Sequence, residues 1–354
     1  MHPFKKQVIE FLQSQIPCKQ RPVPQSPESV LIVRQHDQLG DFLMSTPVFR
    51  ELKRALPDCR ISVVLTRYTE PVAQNNPHID EIIVYEKKVL RWEREGLSRF
   101  VKGIGKKYDL AMVLNTPSRS MTSDMIGLLS GAAFRLGMEP RPEGDAVKYD
   151  FMYHATSPRE YPRINQSLEN LSILKSLGIE YEQDGEEMFL SATEKEWAKD
   201  RLQALGFDQP PLLILPGANK PANIWPVERY VELGLKLKNV RPVLVLWGPG
   251  QDEIGERLLA GLLDVGAQTI RKTSIREMAA LASSSTLAVC NDTGDLHICA
   301  AIGAQVLGLF GPTHPEMYIP LGDHVHRIQS VTDTMEGVAV ERVFDEVMGI
   351  IEHQ

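Results

Sequence analysis

The stretch Cys290-Asn291-Asp292-Thr293-Gly294-Asp295-Leu296-His297-Ile298-Cys299-Ala300-Ala301-Ile302-Gly303, continued by Ala304 to Phe310 and closed by Gly311-Pro312-Thr313, decides the fold. It reads as strand, polar turn, helix, strand, loop. The apolar run 287–290 stops at Asn291, Asp292 and Thr293, residue types that cap a helix by accepting hydrogen bonds from its first free amides. A helix starting at the carboxyl end of a buried strand presents unpaired N–H groups and the positive end of its dipole, which favours an anion, and a phosphate is the natural guest. Asp292 repels a phosphate unless it faces something else, such as sugar hydroxyls. A phosphorylated sugar satisfies both halves of the turn.

The same alternation extends in both directions from this stretch. Helices over 194–205, 227–237, 252–263, 275–282 and 295–302 alternate with strands over 212–215, 243–247, 268–270, 287–290 and 305–309. Three turns leave strand ends on one edge: Pro216-Gly217-Ala218-Asn219-Lys220, Trp247-Gly248-Pro249-Gly250-Gln251-Asp252-Glu253, and the opening turn 291–295. Gly217 permits close backbone approach, Lys220 offers a cation for a diphosphate, and Asp252 or Glu253 can take the two hydroxyls of a ribose. Simple solvation of Lys220 and helix capping by Asp252 are the competing readings.

The first half shares the architecture without a residue-level repeat. A short apolar strand over 30–34 ends in Arg34, and Gln35-His36-Asp37-Gln38-Leu39-Gly40-Asp41 leads into a helix over 42–56. Gly40 lets the chain turn or a ligand come close. Asp41 falls at the helix start, on the carboxyl edge where open α/β sheets hold ligands. Read locally, Asp41 is as well explained as an ordinary cap and Asp37 as a loop residue. Strands over 61–65, 81–84 and 110–114 alternate with helices over 70–74, 90–103 and 120–130. Arg119 and Ser120 then face the edge of Asp41, where Arg119 either holds an anionic acceptor or is a solvated cap residue. Residues 137–163 are rich in Pro, Tyr and charge and read as a mobile loop, with surface packing preferred over acceptor contact for Tyr149, Tyr153 and His154. A helix over 164–177 stops at Gly178.

This pattern sets a domain plan. An N-terminal helix and proline-rich linker occupy 1–28, two Rossmann-like units occupy 29–182 and 183–336, and a last helix in 337–354 packs back to tie the halves together. Strands separated by helices make each unit a parallel, doubly wound α/β sheet. At 354 residues the chain is too long for one ordinary core and suits two. The net charge of −7, with both signs mixed along the chain, argues against nucleic acid as a principal ligand. Cys18, Cys59, Cys290 and Cys299 are scattered without metal-ligand spacing, as free thiols in a reducing compartment are. No stretch approaches the roughly 20 apolar residues of a membrane span, and the first residues lack the apolar core of a signal peptide. The expectation is a cytoplasmic protein. The helix over 3–16, with Lys5 and Lys6, reads as a peripheral foot on the inner membrane or as a helix docked on its own domain; its low basic content favours docking.

Gly40-Asp41 after the first strand, Pro216-Gly217-Ala218 with Trp225-Pro226 downstream, Asn291-Asp292-Thr293-Gly294 with His297, and Leu309-Phe310-Gly311-Pro312-Thr313 follow one another in a familiar order. From Val30 to Leu321 the chain resembles glycosyltransferase family 9, the ADP-heptose:lipopolysaccharide heptosyltransferases. The resemblance implies a GT-B fold, two facing Rossmann-like domains with the acceptor on the first and the nucleotide-sugar donor on the second. It implies inverting transfer of a sugar, heptose from ADP-heptose, to a lipopolysaccharide-core or related glycan or glycolipid acceptor, without a metal and without a cofactor. By the family pattern Asp41 matches the proposed general base, Asp292 the residue that holds donor sugar hydroxyls, Thr293 and Gly294 the amides at the diphosphate, and Asp252 the acidic residue at the ribose. Gly217 and Lys220 complete the donor side, and Arg119 stands on the acceptor side.

Two departures qualify the match. The family often carries Lys two residues before the Trp-Pro, where this chain has Asn223, leaving Lys220 as the substitute cation. The family usually has Pro after Asp-Thr-Gly, where this chain has Asp295. His297 and Trp225 read as packing residues. A nucleotide-sugar epimerase of similar architecture and a non-catalytic sugar-nucleotide-binding relative are the alternatives. A nicotinamide-dependent oxidoreductase is disfavoured because no Gly-x-Gly-x-x-Gly follows the first strand.

Overall fold

The computed structural model describes residues 13–14, 21–35, 38–87, 93–115, 120–139, 150–159 and 164–353. Most of the helix read over 3–16, together with Asp37, Arg119 and Tyr149, lies outside the described residues. The chain divides into two compact units, Met1–Gln183 and Asp184–Gln354.

In the first unit, β1 (Ser29–Val33), α1 (Leu39–Leu43), α2 (Thr46–Ala55), β2 (Arg60–Thr66), α3 (Glu70–Ala73), β3 (Glu81–Tyr85), α4 (Arg94–Ile104), β4 (Leu110–Val113), α5 (Met121–Leu129), β5 (Phe134–Met138), β6 (Ala155–Ser157) and α6 (Gln166–Leu171) follow in order. The strands pair in the order β3-β2-β1-β4-β5-β6, every pair parallel. Val30 to Val33 are wholly buried, and a parallel strand covered on both faces needs such an unbroken apolar run. The order reverses between β1 and β4, where successive helices leave for opposite faces and open a crevice at the carboxyl edge. Asp41 comes from the segment leaving β1 at that point.

Two local readings change. The helix expected over 42–56 is split into α1 and α2, because the hydroxyls of Ser45 and Thr46 donate to the carbonyls of Phe42 and Leu43 and Pro47 enters the new first turn. The segment read as a loop from residue 137 instead supplies the end of β5 and all of β6, so Tyr153 and His154 are buried. These strands are three and five residues long, too short for a legible alternation. The stop at Gly178 stands in the structure: its φ of 69° is the left-handed conformation that ends a helix without steric cost in glycine.

The second unit contains α7 (Ala192–Ala204), β7 (Leu212–Leu215), α8 (Val227–Leu237), β8 (Val243–Val245), α9 (Asp252–Gly261), β9 (Gln268–Thr269), α10 (Ile275–Ser283), β10 (Leu287–Asn291), α11 (Gly294–Ala301), β11 (Val306–Phe310), α12 (Pro315–Tyr318), β12 (Val325–Gln329) and α13 (Val340–Glu352). Its sheet runs β12-β11-β10-β7-β8-β9, again all parallel and again reversing between the first and fourth strands of the unit. The strand order is that of the first unit. β12 escaped the sequence reading because its central residues are His326, Arg327 and Ile328 rather than an apolar run. The apolar face of α13, Val340, Val343, Val347 and Ile350, is built into the second unit's core beside Leu233 and Leu237 of α8. No helix among the described residues is long and apolar enough to cross a membrane.

Candidate active site

The second unit's site is organised by Asn291, the last residue of β10 and wholly buried. Its Oδ1 accepts from the Trp225 backbone N–H at 3.1 Å and from the Tyr230 hydroxyl at 3.0 Å. Its Nδ2 donates to the carbonyls of Pro216 at 2.8 Å and Gly217 at 3.2 Å. One amide therefore joins the turn after β7, the turn after β10 and the segment leading into α8. With every polar position of the amide used, a buried group of this kind fixes a unique arrangement.

The third turn closes on the first. A Cβ at Gly217 would lie 1.9 Å from Oε1 of Gln251, so any larger residue there displaces that side chain. Gln251 Oε1 accepts from the Gly248 N–H at 3.0 Å, which ties the turn to itself. Asp252 stands exposed in the first turn of α9, with its Oδ1 accepting from the Trp247 indole at 3.0 Å. Lys220 is exposed and its ammonium pairs with no side chain among the described residues. Of the donor-side residues read from sequence, Gly217, Asp252, Asp292, Thr293 and Gly294 are brought onto one sheet edge by these contacts.

The helix start itself behaves as its sequence requires. Thr293 is the N-cap of α11, extended at φ −150°, with Oγ1 accepting from the Asp295 N–H at 3.2 Å. Asp292 leaves β10 with its N–H bonded to the Leu309 carbonyl at 3.1 Å. Its Oδ2 lies 3.2 Å from Nδ2 of Asn223, the residue that replaces the expected lysine. Burial pushes the Asp295 carboxyl up to about 6, so it stays mostly ionised at neutral pH and loses its charge only in mild acid. His297, one turn into α11, is buried against Glu186, with Nδ1 3.1 Å from Oε2. It packs within the unit as expected, as does Trp225, wholly buried with its indole N–H donating to Val338 O at 3.0 Å.

In the first unit, the corresponding edge is built on Arg34. The guanidinium is wholly buried, donating Nη1–H to Leu114 O at 2.8 Å and both Nε–H and Nη2–H to Asp41 O at 3.0 and 2.6 Å. Burial lowers its pKa, and the Asp41 carboxylate opposes that shift. Asp41 is in the first turn of α1, partly exposed, with Oδ1 3.8 Å from Arg34 Nη2. Behind it Gln35 donates to the hydroxyls of Ser120 and Ser123 at 2.9 and 3.0 Å, and Asn115 donates to buried Asp124 at 2.8 Å. Tyr153 also donates its hydroxyl to Asp124, which makes it an interior strut instead of a surface or acceptor residue.

Sequence reasoning missed Asn291 as a hub, Asn223 as a partner of Asp292, and Arg34 as the anchor of Asp41. A polar residue closing an apolar strand was the available signal for Asn291 and Arg34. Nothing local marked Asn223, whose partners are 69 and 90 residues away.

Two sheets of the same strand order, each with polar turns and a carboxylate at the point where that order reverses, define a GT-B-type glycosyltransferase architecture. The chain belongs to glycosyltransferase family 9 (heptosyltransferase), whose model matches residues 97–347. Lipooligosaccharide heptosyltransferase 2 of Haemophilus influenzae is 26% identical over 305 residues, covering 80% of this chain and 84% of that protein. Among solved structures, the glycosyl transferase family 9 protein from Veillonella parvula matches with a TM-score of 0.79 at 18% identity, covering 94% of this chain and 99% of that one. The ADP-heptose lps heptosyltransferase II of E. coli matches with a TM-score of 0.74 at 20% identity, covering 92% and 99%. The protein is therefore a glycosyltransferase, with the fold expected from its sequence.

Proposed function

We propose that the protein transfers heptose from ADP-heptose to a sugar of lipopolysaccharide core, or a related glycolipid, with inversion at the anomeric carbon. The names of the relatives support the donor and acceptor classes. The observation that carries the reading is the joining of the turns after β7 and β10 by Asn291, with Gln251 of the 247–252 turn packed against Gly217, which groups Asp292, the first amides of α11 and Asp252 on one edge beside the exposed Lys220. In this reading the amides of Thr293 and Gly294 and the Lys220 ammonium take the diphosphate, Asp252 takes the ribose, and Asp292 takes heptose hydroxyls.

Chemistry then needs a base and a stabilised leaving group. Asp41 accepts the proton of the acceptor hydroxyl as that oxygen bonds to the anomeric carbon, while the bond from that carbon to the diphosphate oxygen breaks on the opposite side. Arg34 holds the backbone of Asp41 in place. The charge on departing ADP is offset by helix-start amides and Lys220, so the mechanism calls for neither metal nor cofactor. Arg119 contributes on the acceptor side, and the enzyme works in the cytoplasm on an acceptor presented at the inner membrane.

The test replaces Asp41 by Asn. Transfer to lipopolysaccharide acceptor is expected to fall about a thousandfold, the scale of a lost general base, with ADP-heptose affinity unchanged and wild-type activity undiminished by a chelator. Wild-type turnover in Asp41→Asn overturns the base assignment. Isomerised donor in the absence of acceptor points to an epimerase.

A further inference from the structure

We propose that Asn223 is a positioning residue that sets the Asp292 carboxylate for the donor sugar, so that the chain distinguishes a sugar-bearing nucleotide from the bare nucleotide diphosphate. The inference rests on the reading of Asp292 as the residue facing sugar hydroxyls. Asn223 is only 5% exposed and closes a single turn of 3-10 helix, Pro221–Asn223, with its N–H bonded to Lys220 O at 2.9 Å. Its side-chain Nδ2 lies 3.2 Å from Asp292 Oδ2, 3.3 Å from Asp292 O and 3.4 Å from Thr313 Oγ1. An amide NH2 carries two protons, so the three acceptors share them, with the Asp292 carboxylate the nearest.

The pairing is held in register by the backbone. Trp225, two residues after Asn223, bonds through its N–H to Oδ1 of Asn291, one residue before Asp292. The two contacts clip 223–225 to 291–292 side by side, so the rotamer of Asp292 is fixed from a rigid support. With Oδ2 engaged, Oδ1 is the oxygen left to accept from a ligand, and its direction is set in advance. Thr313, from the loop after β11, is brought into the same cluster, so Asn223 links three segments around one carboxylate.

The chemistry of the side chain matters as much as its place. A neutral donor steers a carboxylate without cancelling its charge, so Asp292 remains a full acceptor for hydroxyls. A lysine ammonium here would instead form an ion pair with Asp292 and add positive charge where the diphosphate lies. This chain separates those tasks: Asn223 serves the sugar through Asp292, and exposed Lys220, at the other end of the same turn, is left for the phosphates.

The experiment measures the affinities of ADP and ADP-heptose in parallel by calorimetry for wild type, Asn223→Ala, Asn223→Asp, Asp292→Ala and the Asn223→Ala/Asp292→Ala double variant. Asn223→Ala is expected to weaken ADP-heptose about tenfold, as loss of a hydrogen bond to a charged group does, with ADP binding unchanged. The nearly isosteric Asn223→Asp sets two carboxylates together and is expected to weaken ADP-heptose further. In the Asp292→Ala background, Asn223→Ala is expected to add nothing, because the two residues act as one unit. Equal loss of ADP and ADP-heptose in Asn223→Ala, or full additivity in the double variant, overturns the proposal, since a merely structural role moves both ligands together. Retained ADP binding is also the check that each variant is folded. Wild type that binds ADP-heptose no better than ADP, with Asp292→Ala unchanged, overturns the sugar role of Asp292 itself and takes the inference with it.

Discussion

The buried guanidinium of Arg34 grips the backbone carbonyl of Asp41 with two donors, Nε at 3.0 Å and Nη2 at 2.6 Å, and with its third hydrogen bond, Nη1 to Leu114 O at 2.8 Å, spans the reversal point between β1 and β4. The second unit has a counterpart at its own reversal point, where Asn291 at the end of β10 donates to Pro216 O after β7 at 2.8 Å. In both units a polar side chain that closes a buried strand bolts the crevice together and sets the backbone carrying a site residue. The planar fork suits Arg34 because it serves two carbonyls from one fixed geometry.

Replacing Arg34 by Ala is expected to lower unfolding stability by about 3 kcal/mol, since the carbonyls of Asp41 and Leu114 lose their buried donor. Urea unfolding measures this. Arg34→Lys recovers part of the stability, but a point charge cannot hold both carbonyls as the fork does. Transfer activity of Arg34→Lys is expected to remain well below wild type with ADP affinity intact, because the damage is confined to the segment of Asp41.

Asn291→Leu keeps the branched shape, at a somewhat larger volume, and removes all four hydrogen bonds. Orphaning the Trp225 N–H, the Tyr230 hydroxyl and the carbonyl of Pro216 is expected to cost about 3 kcal/mol and to abolish tight ADP binding at temperatures where the variant is still folded. Thermal unfolding with and without ADP reads both effects. A variant that melts lower yet gains the full wild-type stabilisation from ADP contradicts the hub role.

Gly217→Ala places a methyl group against Gln251, whose amide caps the Gly248 N–H. The clash is with the end of a flexible side chain, so the fold survives with about 1 kcal/mol lost, while the 247–252 turn that carries Asp252 is displaced. ADP affinity is expected to fall about tenfold in Gly217→Ala, and Gln251→Ala added to it is expected to relieve the crowding without restoring the turn. Calorimetric titration of both variants is the measurement.

His154 makes the first unit sensitive to mild acid. Burial, with Arg135 and Arg21 as further positive neighbours, depresses its pKa to about 4, and its Nδ1 accepts from the Arg135 N–H at 3.0 Å. The unfolded chain takes up that proton near 6.5, the folded chain only near 4, so between these values the unfolded state binds more protons and stability falls as pH is lowered. The loss is about 3 kcal/mol by pH 4. His154→Asn, which retains an acceptor in place of Nδ1, is expected to flatten the pH dependence of the unfolding midpoint across this window.

Much of the candidate site could be read from the chain because its signals are local. Asp292, Thr293 and Gly294 announce a capped helix after a buried strand through residue type alone, and Gly217 and Asp252 are likewise strand-end residues on the same kind of turn. Asp41 read as more than a cap only through the later turn and the family pattern, and Arg34, only seven residues away, was not read as its anchor. Other features were illegible for physical reasons. β5, β6 and β12 are short or polar, so their periodicity carries no signal, and they form because a neighbouring parallel strand offers a free edge.

The sequence by itself determined the two wound α/β units, the family motifs and the capped helix starts, because hydrophobic period and capping preference act over a few residues. Tertiary structure alone decided which side chains hold the site in shape. Asn291 gathers segments 61 to 75 residues distant, and Asn223 reaches Asp292 across 69. A buried amide takes its partners from whatever backbone the packed sheet brings within hydrogen-bond reach, and no local rule specifies that neighbourhood. For the same reason the replacement at position 223, which reads in sequence only as a missing lysine, becomes in the folded chain the donor that steers a carboxylate.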